Sequence, residues 1–304
     1  MTDLEKDALA FRTAENKYEN AEYEAAIPAY TSYLQKYPRG ANVLAAYFQR
    51  GDSYTFLKQF EKALSDFEEV VKKGNSKYYE RSVRNAALIS YNNQEDFQAA
   101  YTYYIEWEKV AVSEQDRFEA QLGALRSAYR TSKRAEVLRL SSLVAENSRA
   151  SASQRLTARF YQGKISYDDG DLGTALTAFR EVAVEGNTVQ TAEARFRVAQ
   201  ILYRQGQLAD AEAAVNQANQ GNSSYPYWIA KGLILLSDVY SDQGKLTDSR
   251  AALEAVIDNF QDDLDLIAEA EAKLKALEKK EAENSRIDNS NTGNQLRMDE
   301  SGNQ

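Results

Sequence analysis

The chain has 304 residues and a mass of 34.2 kDa, with 43% hydrophobic and 27% charged residues, a formal net charge of −9, no cysteine and no histidine. Without cysteine there is no disulfide framework, thiolate nucleophile or cysteine-held metal, and without histidine no Ser–His–Asp triad, imidazole base or histidine ligand. The acidic balance, with a pI near 4.9, argues against nucleic-acid binding, which draws its affinity from Lys and Arg on phosphates.

Read from the N-terminus, Met1-Thr-Asp-Leu-Glu-Lys6 shows neither a basic n-region nor an apolar h-region, so no signal peptide is expected. Thr2-x-x-Glu5 is a capping box that opens a helix. Tyr18 to Pro38 then reads as a helix ending, a tight turn before Tyr23 and a second helix closed by proline. The pattern recurs. The large residue just past the turn is Tyr23, Phe60, Phe97, Ala135, Leu172, Leu208 and Leu246, at steps of 37, 37, 38, 37, 36 and 38 residues. Three residues later most units carry a small side chain: Ala26, Ala63, Ala100, Ala175, Ala211 or Ser249. Four beyond that comes a large apolar one: Tyr30, Phe67, Tyr104, Phe179, Val215 or Leu253. Gly170, Gly206 and Gly244 sit two residues before the marker, where a helix–helix turn calls for positive φ.

Apolar residues recur at helical spacing within each half-unit. A single helix pair cannot bury its own stripe, so pairs must stack. Ser151-x-x-Gln154 is a second capping box, and Pro226 suits the first turn of a later helix. Residues 263–283 carry Leu266, Ala270, Leu274 and Leu277 on one helical face and read as a polar capping helix. Residues 284–304 are Asn, Ser, Gly and charge, and are expected to form a disordered tail. No apolar run approaches the ~18 residues of a membrane helix, so no membrane insertion is expected.

The pattern resembles the tetratricopeptide repeat (TPR) family over residues 3–261. Tyr47, Gly51, Tyr54, Phe60, Ala63 and Phe67 carry the resemblance in the second unit, and Ala14, Tyr23, Ala26, Tyr30 and Pro38 in the first. Later units match through Gly163, Gly170, Ala175 and Phe179, through Ala199, Gly206 and Ala211, and through Tyr240 and Gly244. The period is longer than the family's 34 residues. The fourth unit departs most, with Arg126, Leu138 and Ser142 at the small, small and aromatic positions. The resemblance implies an all-α, right-handed solenoid of antiparallel helix pairs over 2–261. Its units lie near 7–40, 44–77, 81–114, 119–152, 156–189, 192–225 and 230–261.

It also implies a non-catalytic scaffold that binds a peptide or protein in a concave groove lined by the first helix of each pair. No cofactor and no metal are implied. Groove positions 5 and 12 hold Phe11, Phe48, Phe160 and Phe196, and Tyr18, Tyr167 and Tyr203. An aromatic ladder of this kind is expected either to grip a peptide or to pack between helices. The Lys and Asn pair with which one subfamily holds chaperone C-termini is missing, because those positions hold Phe11 and Glu15, then Phe48 and Asp52.

Charge is unevenly spread. Residues 116–164 hold ten basic and four acidic side chains, a local net of +6. Arg126, Arg130, Lys133, Arg134 and Lys164 lie in this belt. It is expected to attract an acidic segment of a partner, or to be neutralised within the chain. The alternative to a binding scaffold is a structural or oligomerising module with no free groove. The sequence Tyr33-Leu-Gln-Lys-Tyr-Pro38 is similar to repeats of bacterial envelope proteins, which implies a periplasmic or envelope location if a signal has been removed, and otherwise the cytoplasm.

Overall fold

The computed structural model describes residues 2–184 and 186–301, with side chains through Glu283. Among the described residues there are fifteen α-helices and no strand. The first helices of the pairs, called A, are α1 (Asp3–Glu19), α3 (Val43–Phe56), α5 (Tyr79–Asn92), α7 (Glu114–Arg130), α9 (Ala152–Asp168), α11 (Val189–Arg204) and α13 (Pro226–Asp242). The second helices, called B, are α2 (Tyr23–Lys36), α4 (Phe60–Lys73), α6 (Phe97–Val110), α8 (Arg134–Glu146), α10 (Leu172–Ala183), α12 (Leu208–Gly221) and α14 (Leu246–Asn259). A final helix, α15, spans Leu264–Ser301. The chain divides into two compact units, one ending at Tyr161 and the other starting at Gln162.

Both units are built the same way, as an all-α repeat solenoid. In the first, every helix from α1 to α8 packs on its neighbours in sequence; in the second the same holds from α10 to α15. The small residue of each B helix is sealed, with Ala26, Ala63, Ala100, Ala175 and Ala211 at 0% exposure. The aromatic four residues on, such as Tyr30, Phe67 or Phe179, is sealed with it. Phe67 and Phe179 reach the core because their A helices offer a glycine. A β-carbon on Gly51 would stand 3.0 Å from the Phe67 ring, and one on Gly163 would stand 2.9 Å from the Phe179 ring. Ring and glycine thus let the two backbones approach, and dispersion contacts fill the space.

Local signals behave as the sequence predicts. Thr2 and Glu5 form the reciprocal capping box at α1, at 2.6 and 3.2 Å, and Ser151 with Gln154 do so at α9. Pro226 opens α13. The A–B turns need a left-handed residue. Gly170, Gly206 and Gly244 supply it with φ of 82°, 74° and 78°, whereas Ala21, Lys58, Glu95 and Ser132 adopt it without being glycine.

Two expectations are corrected. The fourth unit starts one residue earlier than its spacing implied. Its left-handed residue is Ser132 and its B helix starts at Arg134, not Ala135. Arg134 therefore holds the large-residue position, and Val137 and Ser141, both at 0% exposure, hold the small and aromatic ones. Here arginine stands where the other units carry a large apolar residue, so side-chain size does not mark the start of this B helix. The second correction concerns the tail: the backbone of 284–301 continues α15 where an irregular chain was expected. Propagation adds one hydrogen bond per residue to a turn that already exists, so a helix anchored over 264–283 runs on into sequence unable to start one. Residues 302–304 lie outside the described residues.

The anchored part of α15 packs as a cap should. Leu266, Ala270 and Leu277 are buried against Ala230, Ile234, Leu253 and Val256. Lys231 with Glu269 at 2.8 Å, and Lys273 with Asp238 at 2.7 Å, tie its polar side to α13.

Candidate functional site

The phenylalanines of the expected ladder are buried. Phe11, Phe48, Phe160 and Phe196 are 7%, 2%, 5% and 4% exposed. Phe48 is covered by the Tyr78 ring at 5.1 Å and by the Arg81 guanidinium at 4.5 Å. Phe196 packs on Trp228 at 5.5 Å. Packing wins because a phenyl ring between adjacent A helices gains more from burial than from an open groove.

The tyrosines of the ladder are half-buried and engaged. Tyr18 donates its hydroxyl to Asp52 at 3.0 Å, joining α1 to α3. Asn85 and Arg81 of α5 reach the same carboxylate at 3.3 and 3.7 Å. Burial nevertheless holds the Asp52 carboxyl above its ordinary value, the hydrogen bond from Tyr18 and the charges of Arg81 and Arg84 opposing it. In the second unit Tyr203 donates to Asp242 at 2.8 Å. Tyr167 is flanked by Arg197 and Arg204, with guanidinium carbons 5.1 and 5.0 Å from its ring centre. These are attractions of cations to an aromatic face.

Most of the basic belt is spent inside the chain. Lys164 pairs with Glu193 at 3.0 Å, within the second unit. Arg139 is shared by Glu108 and Glu136 at 3.1 and 3.0 Å. Those contacts hold Glu136 below the ordinary carboxylate value. Lys133 lies over the Tyr101 ring at 4.8 Å. Arg134 is half-buried at the start of α8. Arg126 and Arg130 are different: both are exposed, and neither has a carboxylate partner among the described residues. Arg130 rests only on the Phe97 ring, at 5.2 Å.

Arg126 lines a pocket of about 390 Å³ on the A-helix face of the first unit. The helix α5 contributes Arg84, Asn85, Leu88, Tyr91 and Asn92 to its wall. Tyr104 and Trp107 of α6 rise between the A helices to form its floor. Asp116, Glu119, Leu122, Gly123 and Arg126 come from α7. Tyr104 and Trp107 are buried, while Leu88 is 39% exposed. The wall's acids are already engaged: Asp116 faces Arg84 at 4.0 Å, and Glu119 accepts from Gln115 at 2.9 Å.

Next to the pocket, Tyr129 of α7 stacks on Tyr161 of α9 with ring centres 3.8 Å apart. Tyr91 meets Phe97 edge-on at 5.2 Å. None of these residues stood out in the sequence as a candidate site residue except the two arginines. The register error explains part of this: in the corrected unit Arg126, Tyr129 and Arg130 fall on groove positions 9, 12 and 13.

A larger cavity, of about 640 Å³, lies among α10, α11 and α12. Its wall mixes small and apolar residues such as Ala183, Val198, Leu202 and Ala214 with Arg180 and Asp210, and Arg195 is spent there on the carbonyls of Ala183 and Gly221 at 3.0 and 2.8 Å. Among the described residues no three metal-ligating side chains converge, and no helix is long and apolar enough to cross a membrane.

A stack of helix pairs with glycine–aromatic packing and an A-helix face carrying the polar groups defines a helical-repeat protein. Models of the tetratricopeptide-repeat family match residues 7–39, 44–72 and 162–226. No curated protein matches the chain. Among solved structures, the C-terminal part of a TPR repeat-containing protein from Cytophaga hutchinsonii superposes with a TM-score of 0.54 at 14% identity, over 85% of this chain and 98% of that one. A chain in the structure of Naa15/Naa10 bound to HypK-THB gives 0.53 at 14% identity, over 93% of this chain and 42% of that one. At such identity these likenesses establish the fold.

Proposed function

We propose that the protein is a non-catalytic interaction scaffold that binds a peptide or protein segment on the A-helix face of its first unit. The observation that carries this reading is the α5–α6–α7 pocket, where an exposed leucine, Leu88, stands beside an uncommitted guanidinium, Arg126. A pocket with an apolar anchor point and few polar groups is the usual form of a recognition site. A chain without cysteine or histidine has few groups for acid–base or covalent chemistry, and the two carboxylates that line this pocket, Asp116 and Glu119, are engaged by Arg84 and Gln115. Stacked repeats also provide the extended surfaces on which segments dock.

The test is selection of a random dodecapeptide display library on the immobilised protein. The expected result is a consensus motif that vanishes when Leu88→Glu is used as bait. A motif unchanged by Leu88→Glu places binding elsewhere. No motif at all, with a solution mass that is a multiple of 34.2 kDa, would favour a structural assembly module instead.

A further inference from the structure

On the A-helix faces, a tyrosine hydroxyl that reaches the next helix commonly finds a carboxylate, as Tyr18 finds Asp52 and Tyr203 finds Asp242. Arginines elsewhere in the chain find carboxylates too, as Arg50 does at Asp66 and Arg250 at Glu281. Around the C-terminal half of α7 the donors are present and the acceptors are missing. Tyr91, Tyr129 and Tyr161 have no hydroxyl partner among the described residues, and Arg126 and Arg130 have no carboxylate.

The five groups are neighbours. Arg126, Tyr129 and Arg130 stand three and four residues apart and so share one face of α7. Tyr129 stacks on Tyr161 with planes 9° from parallel, and Tyr129 and Tyr91 both stand close enough to Tyr161 to act on its hydroxyl. Tyr91 and Arg126 line the same pocket, and the Phe97 ring that Tyr91 touches is the one on which Arg130 rests. All three rings are half-buried, so their orientation is fixed before any ligand arrives, which lowers the entropy cost of binding. Arg126 and Arg130 are close enough to Tyr161 to act on its ionisation, and both oppose the upward push of burial on that hydroxyl.

We propose that the hydroxyls of Tyr91, Tyr129 and Tyr161 and the guanidiniums of Arg126 and Arg130 form a receptor for side-chain carboxylates of an acidic segment in a partner protein, with an apolar residue of that segment seated on Leu88. This rests on the scaffold reading above and supplies its ligand chemistry. Three phenol O–H donors and two planar cations, with no carboxylate among them, fit an oxyanion better than any neutral group. A segment is favoured over a lone anion because the apolar wall lies beside the donors and only a longer ligand covers both. Steering follows from charge, since residues 116–164 carry net +6.

The library selection reads this directly. The wild-type consensus should contain two or more Asp or Glu beside an apolar residue. Arg126→Gln with Arg130→Gln should weaken the fluorescein-labelled consensus peptide by at least about tenfold, as loss of charged hydrogen bonds implies. Tyr129→Phe with Tyr161→Phe keeps the ring stack and should weaken it about fivefold to tenfold. Tyr18→Phe, remote from these groups, should leave it unchanged. Affinity should fall as salt rises. A consensus lost in Leu88→Glu but free of acidic excess would overturn this inference and leave the scaffold standing. An acidic consensus bound equally by the arginine variants would also overturn it. The absence of any consensus would overturn both readings.

Discussion

The Tyr104 ring lies directly on the backbone of Gly123. A β-carbon at residue 123 would stand 2.2 Å from the ring's Cε1 and 2.4 Å from Cζ. Tyr104 is 4% exposed and touches Tyr91 and Trp107, so it has little room to retreat. Gly123→Ala should therefore destabilise the protein by about 1–3 kcal/mol, the cost of overpacking, read as a lower urea midpoint. Because the clash is with one ring, Gly123→Ala placed on Tyr104→Ala should cost much less than on wild type. Additive losses would show that the conflict is with backbone instead.

Phe48→Ala separates core from binding. The ring is 2% exposed and meets Phe67 at 5.9 Å and Tyr78 at 5.1 Å. Its removal should cost about 3–5 kcal/mol of stability, measured by denaturant unfolding. Affinity for a peptide bound at the α5–α7 pocket should be unchanged in the fraction that stays folded. A selective loss of affinity with normal stability would return this ring to the binding surface.

Glu95 adopts φ of 53° in the turn before α6, where later repeats use glycine. A side chain in the left-handed region costs roughly 1–2 kcal/mol, partly offset by the extra freedom glycine has when unfolded. Glu95→Gly should raise stability by about 0.5–1 kcal/mol, seen as a higher thermal midpoint. Gly170→Ala, at φ 82°, should lower it by a similar amount. If the two changes had the same sign, turn conformation would not be the controlling term.

Alkaline pH tests the buried tyrosines. Burial pushes the hydroxyls of Tyr101 and Tyr104 up to about 12 from an ordinary value of 10. It also raises Tyr18, Tyr30, Tyr33, Tyr103 and Tyr203. In the unfolded chain these groups lose their protons near pH 10. Folded pKa values above the unfolded one mean that their stability is intact below pH 10 and drains away as pH rises toward 12. The melting temperature should fall steeply across that window, and much of the tyrosinate absorbance should appear together with unfolding. Gradual ionisation near pH 10 with helical circular dichroism intact would contradict the burial of these hydroxyls.

The repeat was legible because its period is written in side-chain size. Ala26 followed by Tyr30, and Ala63 followed by Phe67, recur at the same offset because every unit meets its neighbours the same way, so one packing solution is copied. Caps and the glycine turns were legible for a related reason: Thr2, Ser151, Pro226 and Gly170 act on backbone within a few residues of themselves. Where the copy was imperfect, local reading slipped. Arg134 stood in the large-residue position, the unit was placed one residue late, and Tyr129 was taken off the groove face with it.

What the sequence by itself determined is the architecture: helix pairs, their order, their caps and the buried small–large partners. These follow from spacing and from interactions between chain neighbours. Only the tertiary structure decided which polar groups are spent. Lys164 meets Glu193 across 29 residues and Arg139 meets Glu108 across 31, while Arg126 and Arg130, equally basic in the sequence, meet no carboxylate. Phe48 and Leu88 likewise exchange the roles their types suggest, one sealed at 2% and the other left 39% open. Charge pairing and exposure depend on which helices are brought side by side, and that relation exists only once the stack has formed.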